Sequence, residues 1–148
     1  KNNPIVPIDF VFIGSASAQI KEVATDLLGS HISFLPPVSH KKIVKYMQQS
    51  HLLLLVTQGS EGTIPGKTFE YLAAERSIVC IGKGDAAAAI EACGAGESFE
   101  RTEESAILNF LERCLKFYQD DSWPTPNHEE IKKRSRPFQA KQVMNLIQ

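Results

Sequence analysis

Short apolar runs alternate with helical patterns along most of this chain, and that alternation limits the folds open to it. The runs are bounded by Gly, Pro or polar residues, and they cover residues 9–14, 31–36, 51–58, 77–82 and, more weakly, 97–100. Their length and their Val, Ile and Phe content predict β-strands. Four of them are unbroken rather than alternating, which is typical of parallel strands covered on both faces.

The segments between the runs carry helical spacing. Apolar residues recur every three or four positions, and the predicted helices cover residues 18–28, 41–49, 65–75, 84–92 and 103–119. We therefore expect an α/β fold, an open, doubly wound parallel sheet with helices on both faces. This domain should span residues 9–119. Residues 1–8 indicate a lead-in from a truncated fragment, and residues 120–148 a proline-containing linker followed by a polar helix.

Charge and cysteine content exclude several classes of protein. Sixteen Lys and Arg against seventeen Asp and Glu give a net charge of −1, so nucleic acid is not an expected partner. The longest aliphatic runs, 52–56 and 86–90, are far shorter than the roughly 20 residues that cross a bilayer. Cys80, Cys93 and Cys114 sit among apolar neighbours, which predicts reduced, buried thiols and a cytoplasmic protein.

One loop stands out because it follows the most hydrophobic strand and leads straight into a helix. Pro65 suits the first turn of that helix, since its missing N–H would be unpaired there. The free amides around Gly66 and Lys67 then form an anion site, and Glu70 lies one turn further on, where it can accept hydrogen bonds from hydroxyls. A phosphate and a ribose would satisfy both groups. The alternative is a surface ion pair of Lys67 with Glu70, worth a few tenths of a kcal/mol.

Other phosphate-binding patterns fit this loop poorly. A P-loop needs a glycine five positions before the glycine of Gly66-Lys67-Thr68; that position is Glu61, and the available Gly62 is one residue too close. A phosphoacceptor receiver domain would end its third strand in Asp, whereas this strand ends at Gln58. Gly14, after the first strand, lets backbone approach a ligand but lacks the three-glycine dinucleotide fingerprint.

The segment Ile64–Ala74, which reads IPGKTFEYLAA, together with Ser77–Gly82 resembles the nucleotide-sugar-binding lobe of two-lobed, B-type glycosyltransferases. It is most similar to the retaining, bacterial group 1 transferases. The likeness extends to the strand ending at Gly14, to Phe34–His40 and to His51–Val56, and it covers roughly residues 9–115. The resemblance implies a Rossmann-like sheet forming a single lobe of the GT-B fold.

The resemblance also implies roles for individual residues. Glu70 would bind the ribose hydroxyls of the donor, the loop from Glu61 to Ile64 would meet the diphosphate and sugar, and Val38–His40 would lie beside the base. The full set of expected donor-binding residues is Gly14, Val38, His40, Glu61, Gly62, Thr63, Ile64, Gly66, Lys67 and Glu70, and no catalytic residue or metal ligand is assigned. Many members of the family carry a further glutamate at the position of Gly62, and they hold a basic pair in a strand–helix unit ahead of residue 9.

By this resemblance the chain is the donor-binding domain of a cytoplasmic, retaining glycosyltransferase that moves a sugar from a nucleoside diphosphate sugar to an acceptor. It would need no cofactor or metal, and its partners would be the donor and an N-terminal acceptor lobe. Residues 120–148 would pack either on the domain itself or on that lobe. Two alternatives stay open: a nucleotide-sugar epimerase on the same scaffold, and a non-catalytic nucleotide-binding or interaction module. The basic run 132–136 indicates either a solvated helix end or weak peripheral contact with the inner membrane surface.

Overall fold

The computed structural model describes residues 8–58 and 62–147, and it divides the chain into two compact units, residues 1–46 and 47–148. In the first unit, strand β1 (Phe10–Ile13) pairs in parallel with β2 (Ile32–Leu35). Helix α1 (Ala18–Leu28) and a single 3₁₀ turn (Gly29–His31) connect the two strands. Helix α2 (His40–Gln49) begins in this unit and ends in the second.

The second unit contains a three-stranded sheet in the order β3-β4-β5, and both pairings are parallel. The strands are β3 (Leu52–Val56), β4 (Ser77–Ile81) and β5 (Gly96–Phe99). Helices α3 (Gly66–Ala73) and α4 (Asp85–Ala92) connect the strands, and they are followed by α5 (Glu104–Gln119), α6 (His128–Lys133) and α7 (Arg136–Ile147). Leu52 lies opposite Ser77, and Ile78 opposite Gly96.

The predicted strands and helices are confirmed, as is an α/β fold with parallel strands. The strands form two small sheets, and the prediction that the four unbroken apolar strands are covered on both faces holds only in part. In β4, which has a neighbour on each side, Ile78 and Cys80 are fully buried and Val79 is 5% exposed. In β3, Leu54 and Val56 are 47% and 58% exposed, so that prediction is wrong for this strand.

One hydrophobic cluster of the second unit lies between the sheet and α5. Val79 and Phe99 of the sheet pack with Phe110 and Cys114 of the helix, and the rings of Phe99 and Phe110 lie 5.6 Å apart between centroids. Helical spacing puts Phe110 and Cys114 on the same side of α5, which is why one face of the helix is buried. Burying a side chain the size of Phe110 contributes about 1.5–3 kcal/mol.

All three cysteines are free and buried, which confirms the prediction of buried thiols outside a disulfide framework. Burial is the main cause that raises the pKa of Cys80 and Cys93, and it raises the pKa of Cys114 to about 11. A buried thiol with a raised pKa holds almost no thiolate near neutral pH. These cysteines therefore belong to the packing of the second unit rather than to a reactive site.

The segment after α5 is tied to the second unit by several contacts. Trp123 packs against the core, the amide of Asn127 donates to the carbonyl of Cys93 at 2.8 Å, and His128 Nδ1 lies 3.0 Å from Glu75 Oε1. The predicted boundary at residue 119 stays a prediction. Residues 1–7 of the predicted lead-in lie outside the described residues.

Two of the four charges in the basic run are paired with Glu130 of α6. Lys133 Nζ and Arg134 Nη1 lie 2.6 and 2.9 Å from the carboxylate of Glu130, and their hydrogen bonds, that of Lys133 first, lower the pKa of this carboxyl. These pairings are what a solvated helix end would show. Across the described parts of the chain, none of the helices combines the length and the apolar character needed to cross a membrane.

Candidate functional site

Helix α3 begins shortly after the carboxyl end of β3, at the position the sequence pattern predicts. Pro65 precedes the first helical residue, Gly66, and no side chain within residues 8–58 or 62–147 caps this end of the helix. The first amides of an α-helix have no partner within the helix, and the dipole places positive potential there. The first turn of α3 therefore offers donors to an anion. Glu61, predicted to lie in the loop before it, falls outside the described residues.

Lys67 and Glu70 project from the first turn of α3 and lie close to each other. Lys67 Nζ is 3.5 Å from Glu70 Oε2, and the two side chains are 48% and 41% exposed. Lys67 Nζ also lies 5.9 Å from the centre of the Tyr71 ring. A pair this exposed contributes at most about 1 kcal/mol to stability. The structure thus contains the predicted surface ion pair, and it leaves both charged groups accessible to a ligand.

Thr68, in the same turn, is fully buried. Its amide donates to the carbonyl of Pro65 at 2.9 Å, but its side-chain oxygen Oγ1 has no hydrogen-bond partner among the described residues. A buried hydroxyl without a partner costs about 1–3 kcal/mol. This residue therefore sits in the first turn of α3 at a measurable cost to stability.

The loop that enters α3 is connected to the first turn of α4. The amide of Gly62 donates to Asp85 Oδ2 at 2.7 Å, and Gly62 has φ +77°, a conformation that favours glycine. Of the two residues that follow, Thr63 is exposed and Ile64 is partly buried. Among the predicted donor-binding residues, the structure brings together Gly62 through Glu70 in one loop and one helical turn.

The other predicted residues belong to the first unit. The amide of Gly14 donates to the carbonyl of Leu35 at 3.0 Å, which places Gly14 at the end of the β1–β2 pair. Val38 is partly buried, and His40 is exposed as the first residue of α2. Their predicted roles beside the donor stay predictions.

A cavity of about 560 Å³ opens at the carboxyl ends of β3, β4 and β5. Thr57 and Gln58 line it after β3, Gly82 and Lys83 after β4, and residues 100–102 after β5. In parallel α/β sheets this edge is where ligands bind. None of the predicted donor-binding residues that the structure describes lines this cavity.

Gly82 allows the ends of β3 and β4 to approach each other. It has φ +121°, and a Cβ there would overlap the carbonyl oxygen of Thr57 and lie 2.8 Å from Thr57 Cγ2. The amide of Thr57 donates to Ile81 O at 2.9 Å, and the amide of Gly82 donates to Phe99 O at 2.7 Å. A larger residue at position 82 would displace the backbone that borders the cavity.

Lys83 is held in place from several sides. Its Nζ donates to the backbone oxygen of Ser98 at 2.6 Å and to Ser98 Oγ at 3.3 Å, and it lies 3.9 Å from Glu103 Oε2. Ser98 Oγ donates in turn to Glu91. This network links β4, α4, β5 and the start of α5, so it fixes the side of the cavity that Lys83 lines.

The cavity residues were not predicted from the sequence. The predicted site lies in the loops after the first three strands, whereas Gly82, Lys83 and residues 100–102 follow the fourth and fifth. The sequence signal for these residues was a glycine and charged residues directly after a predicted strand. Asp85 was also missed, although an acidic residue in the first turn of a predicted helix is a familiar signal.

Comparison with known proteins adds no assignment. No model of a protein family matches the sequence, and no curated protein is significantly similar to it. The function is therefore argued from the first turn of α3, from the cavity and from the sequence pattern that leads into them.

Proposed function

We propose that this chain is the donor-binding lobe of a retaining, B-type glycosyltransferase, and that its two units belong to one Rossmann-like, doubly wound fold. The observation that carries the proposal is the first turn of α3, where Lys67 and Glu70 lie 3.5 Å apart at a helix end that no side chain in the described part of the chain caps. A cation and a carboxylate side by side suit a ligand with both a phosphate and neighbouring hydroxyls.

In this account the donor is a nucleoside diphosphate sugar. The first amides of α3 and Lys67 bind the diphosphate, and Glu70 accepts hydrogen bonds from the ribose hydroxyls. As the bond to the sugar breaks, negative charge grows on the departing diphosphate, and donors already in place stabilise it without reorganising. This donor-binding lobe thus contributes positioning and charge, while an N-terminal lobe binds the acceptor. Turnover by this chain alone is not expected.

The strand pairings support the proposed fold. A Rossmann sheet has the order 3-2-1-4-5-6, and without its first strand the remaining neighbours are 3-2 and 4-5-6. The observed pairings are β1 with β2 and β3 with β4 with β5. They agree with the family pattern, in which a further strand–helix unit stands ahead of the one that begins near residue 9. Three unpaired cysteines favour a reducing compartment, and we place the reaction in the cytoplasm.

The proposal is tested by titrating the chain with UDP, GDP, ADP and ATP by calorimetry, with and without Mg²⁺. We expect weak binding of nucleoside diphosphates that does not require the metal, because the helix terminus and Lys67 supply the positive charge. Lys67→Ala should weaken binding, and its effect should shrink at high salt. Lys116→Ala, which removes an exposed lysine on α5, is the matched control. Tight, magnesium-dependent binding of ATP alone would contradict the proposal.

A further inference from the structure

We propose that the cavity at the carboxyl ends of β3, β4 and β5 is a second binding site, and that its ligand is a small sugar phosphate. The inference goes beyond the donor-binding function and does not depend on it. Its starting point is the position of the cavity, because ligands of parallel α/β sheets bind in this place. A volume of about 560 Å³ also lies within the range of small-molecule sites, about 300–1,000 Å³.

The lining favours a hydrophilic ligand. Apart from Gly82 it consists of hydroxyl, amide and charged side chains, namely Thr57, Gln58, Lys83, Glu100, Arg101 and Thr102. Sugars present hydroxyls that both donate and accept hydrogen bonds, and such a lining offers partners of both kinds.

Arg101 is the residue suited to the phosphate. It is exposed, and in the described parts of the chain it takes part in no ion pair. The turn that carries it is fixed, since the amide of Glu100 donates to Glu103 Oε2 at 2.6 Å and the amide of Glu103 donates to Glu100 O at 3.0 Å. A guanidinium on a fixed turn can bind a phosphate through two parallel hydrogen bonds.

Lys83 has a different part in the site. Its contacts with Ser98 O and Glu103 satisfy much of its charge, so it shapes the wall more than it attracts an anion. Glu100 adds a carboxylate to the lining, which would repel a polyphosphate but can accept hydrogen bonds from sugar hydroxyls. An available cation for a phosphate and a carboxylate for hydroxyls together suit a single phosphate on a polyhydroxyl body.

The test is an NMR titration of the whole chain with glucose 1-phosphate, inorganic phosphate, glucose and UDP, followed at the backbone amides. We expect glucose 1-phosphate to shift the amides of Gly82, Lys83 and Thr102 in a saturable way. Arg101→Ala should weaken this binding at least about tenfold, as for loss of charge-assisted hydrogen bonds, and Arg101→Lys should restore part of it. Arg76→Ala removes another exposed arginine of the second unit and should change the affinity less than about twofold.

The other ligands separate the sources of binding. Inorganic phosphate should bind more weakly than glucose 1-phosphate and depend on Arg101, while glucose should bind independently of Arg101. The proposal is overturned if glucose 1-phosphate shifts no cavity amide, or if Arg101→Ala and Arg76→Ala act alike. If inorganic phosphate binds as tightly as glucose 1-phosphate, the site binds phosphate and does not recognise the sugar. If UDP shifts the same amides with higher affinity, the cavity belongs to the nucleotide site and is not a second one.

Discussion

Thr68 combines complete burial with a hydroxyl that lacks a partner among the described residues. Valine has the same shape without the hydroxyl, so Thr68→Val should remove an unsatisfied polar group and leave the packing intact. We expect the free energy of unfolding in urea to rise by about 1 kcal/mol. Thr25→Val, at an exposed position of α1, is the control and should change it by less than about 0.5 kcal/mol. A clear loss of stability in Thr68→Val would mean that the hydroxyl has a partner in solution.

Residue contacts could be predicted from the sequence where they are local. Lys67 and Glu70 are three positions apart on a predicted helix, so their proximity follows from helix geometry alone. The contacts of Gly62 with Asp85 and of Lys83 with Ser98 join residues 23 and 15 positions apart. They depend on which strands are neighbours, and hydrophobic periodicity carries no information about that.

Two leucines on different helices differ in burial, and the contribution of each helix to stability should differ accordingly. Leu72 on α3 is 2% exposed, whereas Leu27 on α1 is 78% exposed. The same deletion of side-chain atoms should therefore have different effects. We expect Leu72→Ala to lower the free energy of unfolding by about 2–5 kcal/mol and Leu27→Ala by less than about 0.5 kcal/mol, measured by urea denaturation. Equal losses would show that Leu27 is covered in solution.

At the scale of elements, strand and helix positions followed from the sequence because local periodicity and turn residues determine them. The exposed face of β3 did not. Its five residues are all aliphatic, so nothing in the strand distinguishes the side that carries Leu53 and Leu55 from the side that carries Leu54 and Val56. Only the helices that pack on the sheet decide which side is buried.

For the whole molecule, burial is concentrated in the second unit. Among residues 8–46 none is buried, while β4 and α4 contain several fully buried side chains. Backbone hydrogen bonds open more easily where few apolar contacts hold them. Amides of β1 and β2 should exchange with deuterium at least about a hundredfold faster than those of β4, as measured by mass spectrometry or NMR. Equal protection would reveal packing on residues 8–46 that their exposure does not show.

The division into two sheets could not be predicted from the sequence. All apolar strands carry similar signals, and a parallel strand can take either neighbour as long as the crossover is long enough. Hydrophobic periodicity therefore predicted how many strands there are and that they are parallel, whereas the choice of neighbours follows only from a particular fold such as the proposed Rossmann-like one. The cavity depends on that pairing, because it lies where three particular strand ends meet.

The central claim, that the first turn of α3 binds a nucleotide, is tested most directly by measuring stability and UDP affinity in the same Glu70→Ala variant. The exposed pair with Lys67 contributes only a few tenths of a kcal/mol, so the melting temperature should stay nearly unchanged. Affinity should fall by about 1.5–3 kcal/mol, more than tenfold, because hydrogen bonds to a charged acceptor are lost. Glu112→Ala, at an exposed position of α5, should change neither quantity. A Glu70→Ala protein that is unfolded, or that binds UDP as well as the parent chain does, would contradict the account.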